Sequence, residues 1–163
     1  HIRLSSIMNE GTVFRVFLPV VERKKGVQML KDEDSGKLFG SEHVLFVDDE
    51  EPIVQVTAKV LQNNGYTVTC CRDGKEAWNL FEKCGQEYDI VITDLTMPKM
   101  GGDELAQRIH HSDNPCPVIL CSGHIDKVRQ STLDDFHISK ILEKPYHIKN
   151  LIVEIRTCLD GVD

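Results

Sequence analysis

Five short strand-like runs, each followed by a helix-patterned segment, constrain this chain's fold more than any other feature. They occupy residues 43–47, 66–71, 89–93, 118–121 and 138–142. Short apolar runs bounded by polar or turn residues read as buried strands. Between them, Pro52 sits where a first helical turn tolerates it, and Ile53, Val56, Val60 and Leu61 recur at helical spacing up to Gly65. Asp73-Gly74-Lys75-Glu76 is a capping box opening a helix through about Cys84, with Trp78 and Phe81 on its core face. Gly101-Gly102-Asp103 precedes a helix carrying Leu105, Ala106 and Ile109. Residues 125–133 are expected to be helical. Residues 146–159 close the chain with Ile148, Leu151, Ile152 and Ile155 at helical spacing. Strands alternating with helices in this way indicate an α/β fold with a parallel, doubly wound sheet. Right-handed crossovers then put every strand's carboxyl end on one edge.

Ligands bind beyond the carboxyl ends of such strands, and the residues found there can handle a phosphoryl group. Asp48 and Asp49 follow the first run, Asp94 the third, Ser122 the fourth and Lys144-Pro145 the fifth. Three converging carboxylates would repel one another without a cation, and hard oxygen donors suit Mg²⁺. Taken alone, Asp48-Asp49-Glu50 could merely favour the following helix N-terminus; Asp94 at a neighbouring strand end argues for a site. A carboxylate can attack phosphorus once cations neutralise the phosphoryl oxygens, which makes Asp94 the candidate nucleophile. Lys144 supplies a point charge, and Pro145 disfavours a helical conformation at it. Ser122 can donate a hydrogen bond to a phosphate oxygen, and Gly123 leaves room for that group. Ser122 lacks the G-x-S-x-G turn of a hydrolase nucleophile, and His110-His111 reads as an exposed helix end.

The rest of the chain sets limits. A net charge of −7 and a pI near 5.5 argue against nucleic-acid binding, which leaves a basic footprint. No apolar run is long enough to span a membrane. The six cysteines include no C-x-x-C pair, and several lie in apolar runs. They read as buried, reduced thiols in a cytoplasmic protein. Residues 1–19 read as a hairpin: Ile2, Leu4 and Ser6 alternate, Asn9-Glu10-Gly11 turns, and Phe14, Val16 and Leu18 alternate before Pro19. Residues 20–42 are charged and weakly patterned, as in a solvated linker. Val27, Met29, Leu30, Leu38 and Phe39 leave docked or helical structure open there.

These motifs, in this order, resemble a response-regulator receiver domain over residues 43–160. The resemblance implies a flavodoxin-like sheet of strand order 2-1-3-4-5. It also assigns roles: Asp48 and Asp49 as the acidic pair, Asp94 in Thr93-Asp94-Leu95-Thr96-Met97-Pro98 as the phospho-acceptor, Ser122 as the hydroxyl switch and Lys144 as the lysine. Mg²⁺ would be held by Asp49, Asp94 and the Thr96 backbone carbonyl, with Asp48 acting through metal-bound water. The phosphodonor would be a histidine kinase or a histidine phosphotransfer domain, in cis or in trans. A homodimer through the last helix–strand–helix face is also implied. The family's switch aromatic would stand three residues before Lys144, where this chain has Ile141.

Residues 2–19 carry a second resemblance. Gly11-Thr12-Val13-Phe14 followed by Leu18-Pro19 is similar to the closing strands of a histidine-kinase ATP-binding domain. Strands, linker and receiver in this order match a hybrid sensor kinase, whose parent chain could be membrane-anchored upstream. The kinase's ATP-binding boxes and phosphorylated-histidine segment are absent from these residues, so the piece by itself is expected neither to bind ATP nor to phosphorylate itself from it. The short segment after the last helix suggests output through a protein contact. Two alternatives stand beside this reading: a haloacid-dehalogenase-like phosphatase, whose second aspartate is replaced by Thr96, and a receiver-like binding module that is not phosphorylated. Thr96 and His124, each two residues past a key position, could set acyl-phosphate lifetime.

Overall fold

The computed structural model describes residues 1–18, 38–123 and 138–161. The chain divides into two compact units, His1–Asp32 and Glu33–Asp163.

The first unit contains an antiparallel hairpin, β1 (Ile2–Ile7) and β2 (Gly11–Val16). Its turn uses Asn9 and Gly11 at positive φ, +64° and +125°, conformations that Asn and Gly adopt most readily. Ile2 faces Val16 and Leu4 faces Phe14 across the pair. Directly opposed residues share a face, so these four form one apolar surface, and all four are exposed. Arg3 and Arg15 are opposed on the other face. The Ser6 and Thr12 hydroxyls bond at 2.8 Å. Pro19 and residues 20–37 of the expected linker lie outside the described residues.

The second unit runs β3 (His43–Val47), α1 (Glu51–Asn63), β4 (Thr67–Cys71), α2 (Gly74–Cys84), β5 (Ile90–Asp94), α3 (Gly102–His110), β6 (Val118–Ser122), β7 (Lys140–Glu143) and α4 (Ile148–Asp160). A short 3₁₀ turn, Gly85–Glu87, follows α2. The five strands β3 to β7 pair in parallel in the order β4-β3-β5-β6-β7. This is the expected 2-1-3-4-5 order. The helix expected over residues 125–133 lies outside the described residues, as does His124.

The central strands β3, β5 and β6 are almost wholly buried, because helices cover both sheet faces; this is why they read as continuous apolar runs. Alternation divides their side chains between two layers. Leu45, Val47, Val91 and Leu120 pack with Phe81 and Leu105. Val44, Phe46, Ile92 and Ile119 pack with Leu61 and Leu151 on the other face. Trp78 is partly buried and stacks on Phe81 at 6.2 Å. His110 ends α3 and His111 caps it.

Several boundaries move by one or two residues for local reasons. Tyr66, expected in a strand, instead closes the turn after α1, its N–H bonded to the Leu61 carbonyl at 3.2 Å. Gly65 at φ +96° makes that turn. Asp94 and Ser122 are the last residues of their strands rather than the first beyond them. The last strand starts at Lys140, although Ile138 is already buried. In the α2 capping box Asp73 accepts the Glu76 N–H at 2.8 Å. The return bond from Glu76 goes to the Arg72 N–H, one residue earlier than the motif specifies.

The segment leading into β3 is docked. Leu38 packs on the core, and the Gly40 N–H reaches the Asn64 carbonyl at 3.0 Å. Arg156 of α4 grips Glu42 through both terminal nitrogens, at 2.9 and 2.6 Å. Its guanidinium also lies 5.8 Å from the Tyr66 ring centre. These Arg156 hydrogen bonds hold the Glu42 carboxyl below its ordinary pKa. Arg156→Lys cannot reproduce the planar fork and is expected to cost about 1–2 kcal/mol at pH 7 in urea denaturation. A depressed carboxylate contributes its stability above the unfolded pKa and loses it as pH falls through the folded one. The deficit of the variant should therefore shrink toward low pH; a constant deficit would assign the effect to packing alone.

All six cysteines are free. Burial pushes the thiols of Cys71, Cys116 and Cys121 up to about 12, so they remain protonated hydrophobes rather than nucleophiles. Cys70 differs in being exposed.

Candidate functional site

Four strand ends deliver the polar residues to one edge of the sheet. Asp48 follows β3, with its N–H on the Cys71 carbonyl at 3.2 Å. Its carboxylate is 1% exposed, yet fully engaged: Oδ1 accepts the Glu50 N–H at 2.9 Å and Oδ2 accepts Lys144 Nζ at 2.7 Å. Glu50, not Asp48, is the N-cap of α1, so the capping explanation for the acidic pair fails for Asp48. Asp94 closes β5, its Oδ1 accepting the Leu95 N–H at 2.9 Å and lying 3.3 Å from Lys144 Nζ. Asp49 is exposed, and oxygens of Asp48, Asp49 and Asp94 all lie within 4.8 Å of one another.

The neighbouring strands hold this group in place. Ser122, 3% exposed, ends β6, and its carbonyl accepts the Lys144 N–H at 2.8 Å. That bond ties the lysine to the strand beside Asp94, which itself pairs in register with Cys121. Thr96 is exposed in the loop after β5. The structure thus brings together Asp48, Asp49, Asp94 and Lys144, with Ser122 on the adjoining strand end.

The electrostatics follow from partial burial. Burial raises the Asp94 carboxyl above its ordinary pKa; the Lys144 charge offsets part of that rise and the Asp48 charge adds to it. For Lys144, burial pulls the ammonium down, but the Asp48 hydrogen bond and the two carboxylate charges hold it above its ordinary value. One ammonium, paired with Asp48 and Asp94, stands in a cluster of three carboxylates that could hold a cation. The donors are all hard oxygens, the chemistry that a divalent cation such as Mg²⁺ takes.

Removing Lys144 leaves Asp48 buried without a counter-charge. Lys144→Met is expected to cost on the order of 3 kcal/mol in urea denaturation with a chelator present. Millimolar Mg²⁺ should recover part of that loss. Equal stability of variant and parent would show that the ion pair does not support the fold.

Four contributors escaped sequence reasoning. The Glu50 and Leu95 backbone N–H groups hold the two key carboxylates, and backbone donors leave no sequence signal. Gly102 begins α3 directly against Asp94, so close that a Cβ there would overlap the Asp94 carbonyl oxygen. Lys99, at φ +67°, pairs with Asp73 at 2.5 Å and pins the loop after β5 to the start of α2.

Beside the site lies an apolar groove of about 560 Å³, lined by Pro52, Ile53, Val56, Lys144, Tyr146 and Ile148 among others. No helix among the described residues is long and apolar enough to cross a membrane.

A five-stranded sheet of this order with an acidic cluster and a lysine at its carboxyl edge defines a class of phosphorelay domains. Residues 44–156 match the response regulator receiver domain, and the chain belongs to that family. It is 31% identical to the sensor kinase CckA of Brucella abortus over 165 aligned positions, covering 97% of this chain but only 18% of that protein. It is 28% identical to the response regulator receiver protein CpdR of the same organism, covering 71% of this chain and 95% of that one. The crystal structure of a response regulator receiver domain protein from Clostridium thermocellum superimposes with a TM-score of 0.68 at 26% identity, over 74% of this chain and 95% of the other. The chain carries a receiver domain of two-component signalling.

Proposed function

We propose that this receiver accepts a phosphoryl group on Asp94 from a phosphohistidine, with Mg²⁺ as its cation. The observation that carries the reading is the meeting of Asp48, Asp49, Asp94 and Lys144 at one point beyond the strand ends. An Asp94 oxygen would form the O–P bond as the P–N bond to the donor imidazole breaks. The electron pair of that bond leaves on the ring nitrogen, which takes up a proton. Among the described residues the Leu95 amide and Lys144 both engage Oδ1, which leaves Oδ2 to attack. Asp49, Asp94 and the Thr96 carbonyl would hold Mg²⁺ directly and Asp48 indirectly; when bound, the ion neutralises charge on the carboxylates and the phosphoryl oxygens. Lys144 would balance the added charge of about −1.5 to −2, by analogy with other phosphorylated side chains, and Ser122 would donate to a phosphoryl oxygen.

The donor histidine belongs to a kinase or a phosphotransfer protein, and the domain acts in the cytoplasm. The N-terminal hairpin is read as the closing strands of a kinase ATP-binding domain, which makes the parent a hybrid sensor kinase. Two observations support this. The alignment with CckA covers 97% of the chain and so reaches into the hairpin, and the Ile2, Leu4, Phe14 and Val16 face is exposed, as in a piece of a larger sheet.

The test is phosphorylation of the whole chain by acetyl phosphate. One phosphoryl group per chain, dependent on Mg²⁺, is the expected result in intact-mass measurements. Repeated turnover of p-nitrophenyl phosphate would favour a phosphatase instead. Failure to bind beryllofluoride with the fold intact would favour a module that is not phosphorylated.

A further inference from the structure

The residue at the family's aromatic switch position, Ile141, packs into the layer containing Leu120 and Leu105. It offers neither a ring nor a hydroxyl to follow Ser122. A tyrosine stands instead on the other face of the sheet, two residues past Lys144. The ring of Tyr146 packs against the layer that contains Cys121 and Phe46 and forms part of the wall of the groove with Ile53 and Val56. Its hydroxyl oxygen is shut off from solvent and has no conventional hydrogen-bond partner among the described residues. The polar group against it is the Cys121 thiol, and the charges of Asp48 and Asp94 are within electrostatic reach. A thiol is a weak partner, so this hydroxyl is held in a costly position.

We propose that Tyr146, rather than Ile141, is the aromatic side chain that registers the state of Asp94 and carries it to the groove beside Pro52, Ile53 and Val56. The inference rests on Asp94 being the phospho-acceptor. A phosphoryl group there draws Lys144 away from Asp48, its partner at 2.7 Å. Pro145 links the lysine to Tyr146 with a fixed φ, so a shift of the lysine backbone passes to the tyrosine with little slack. A ring whose hydroxyl has only a thiol to hold it has little to lose by moving. On the Ser122 side, Ile141 has no polar atom through which a change at that hydroxyl could pull it.

The chain has three tyrosines, Tyr66, Tyr88 and Tyr146, which makes the test direct. Labelled with 3-fluorotyrosine, the full chain gives three fluorine resonances, and Tyr146→Phe identifies the one of interest. Beryllofluoride with Mg²⁺ is then added, its own bound fluorine signal reporting occupancy. The expected result is a shift of the Tyr146 resonance several-fold larger than those of Tyr66 and Tyr88, retained in Ile141→Ala. A bound beryllofluoride signal with an unmoved Tyr146 resonance would overturn this inference and leave the phospho-acceptor reading standing, as would loss of the shift in Ile141→Ala. Absence of any bound signal in the parent would overturn both.

Discussion

Asp94→Asn should reduce phosphoryl uptake from acetyl phosphate to the limit of detection while leaving the protein at least as heat-stable as its parent. The chemical half follows from nucleophilicity: an amide oxygen carries no charge to place on phosphorus, whereas the carboxylate of Asp94 stands beside Lys144 and two further acids. The stability half follows from linkage. Burial raises the Asp94 carboxyl above its ordinary pKa despite the Lys144 charge. The folded state therefore binds this proton more tightly than the unfolded chain. Between the two pKa values stability falls as pH rises, and above the window the penalty remains in full. Asn carries no charge and removes it. With a chelator present, melting at pH 7 should occur at the same or a higher temperature in the variant, and the difference should vanish at pH values below the carboxylate range. Persistent labelling of the variant would sink the assignment of the nucleophile. A lower melting temperature at pH 7 would mean that attraction to Lys144 outweighs burial.

Gly102→Ala tests the backbone rather than the charges. On propensity alone Ala is preferred to Gly in a helix by about 1 kcal/mol, so a surface substitution of this kind would stabilise. Here a Cβ would overlap the Asp94 carbonyl oxygen and come within 2.9 Å of Leu120 Cδ1. The Gly102 N–H also bonds to the Leu95 carbonyl at 3.0 Å, which leaves little freedom to retreat. Overpacking of a tight core costs about 1–3 kcal/mol, enough to reverse the sign. The atoms that must give are those of the nucleophile's own backbone, so the variant should also phosphorylate more slowly than its loss of folded population explains. A variant more stable than the parent would show that α3 can move away from β5 freely.

What could be read in advance follows from what each residue faces. The central strands β3, β5 and β6 announce themselves because both their faces are buried, and a doubly buried strand has few polar positions. The edge strands β4 and β7 are half exposed, which blurs their limits and let Tyr66 pass for a strand residue. Asp48, Asp94 and Lys144 were legible because each ends an apolar run with a charge, a pattern with little structural reason of its own. The Glu50 and Leu95 amides that hold the carboxylates were not legible, since every residue but proline has one. Nor was the close approach of Gly102: the glycine pair was visible as a helix start, but which carbonyl lies against it depends on how α3 meets β5. The position of the Tyr146 hydroxyl depends likewise on packing within the layer that holds Cys121.

The grip of Arg156 on Glu42 has a consequence for modularity. It ties the residue that begins the receiver to the helix that ends it, at the amino edge of the sheet, across from Asp94. Both ends of the domain therefore meet at one corner, away from the chemistry. A short loop could join them and a new opening could be cut in a surface connection elsewhere, giving a circular permutant with the acidic cluster intact. The same geometry makes the domain portable: it can be spliced into a host protein through a single corner while its phosphoryl-handling edge stays open to a donor.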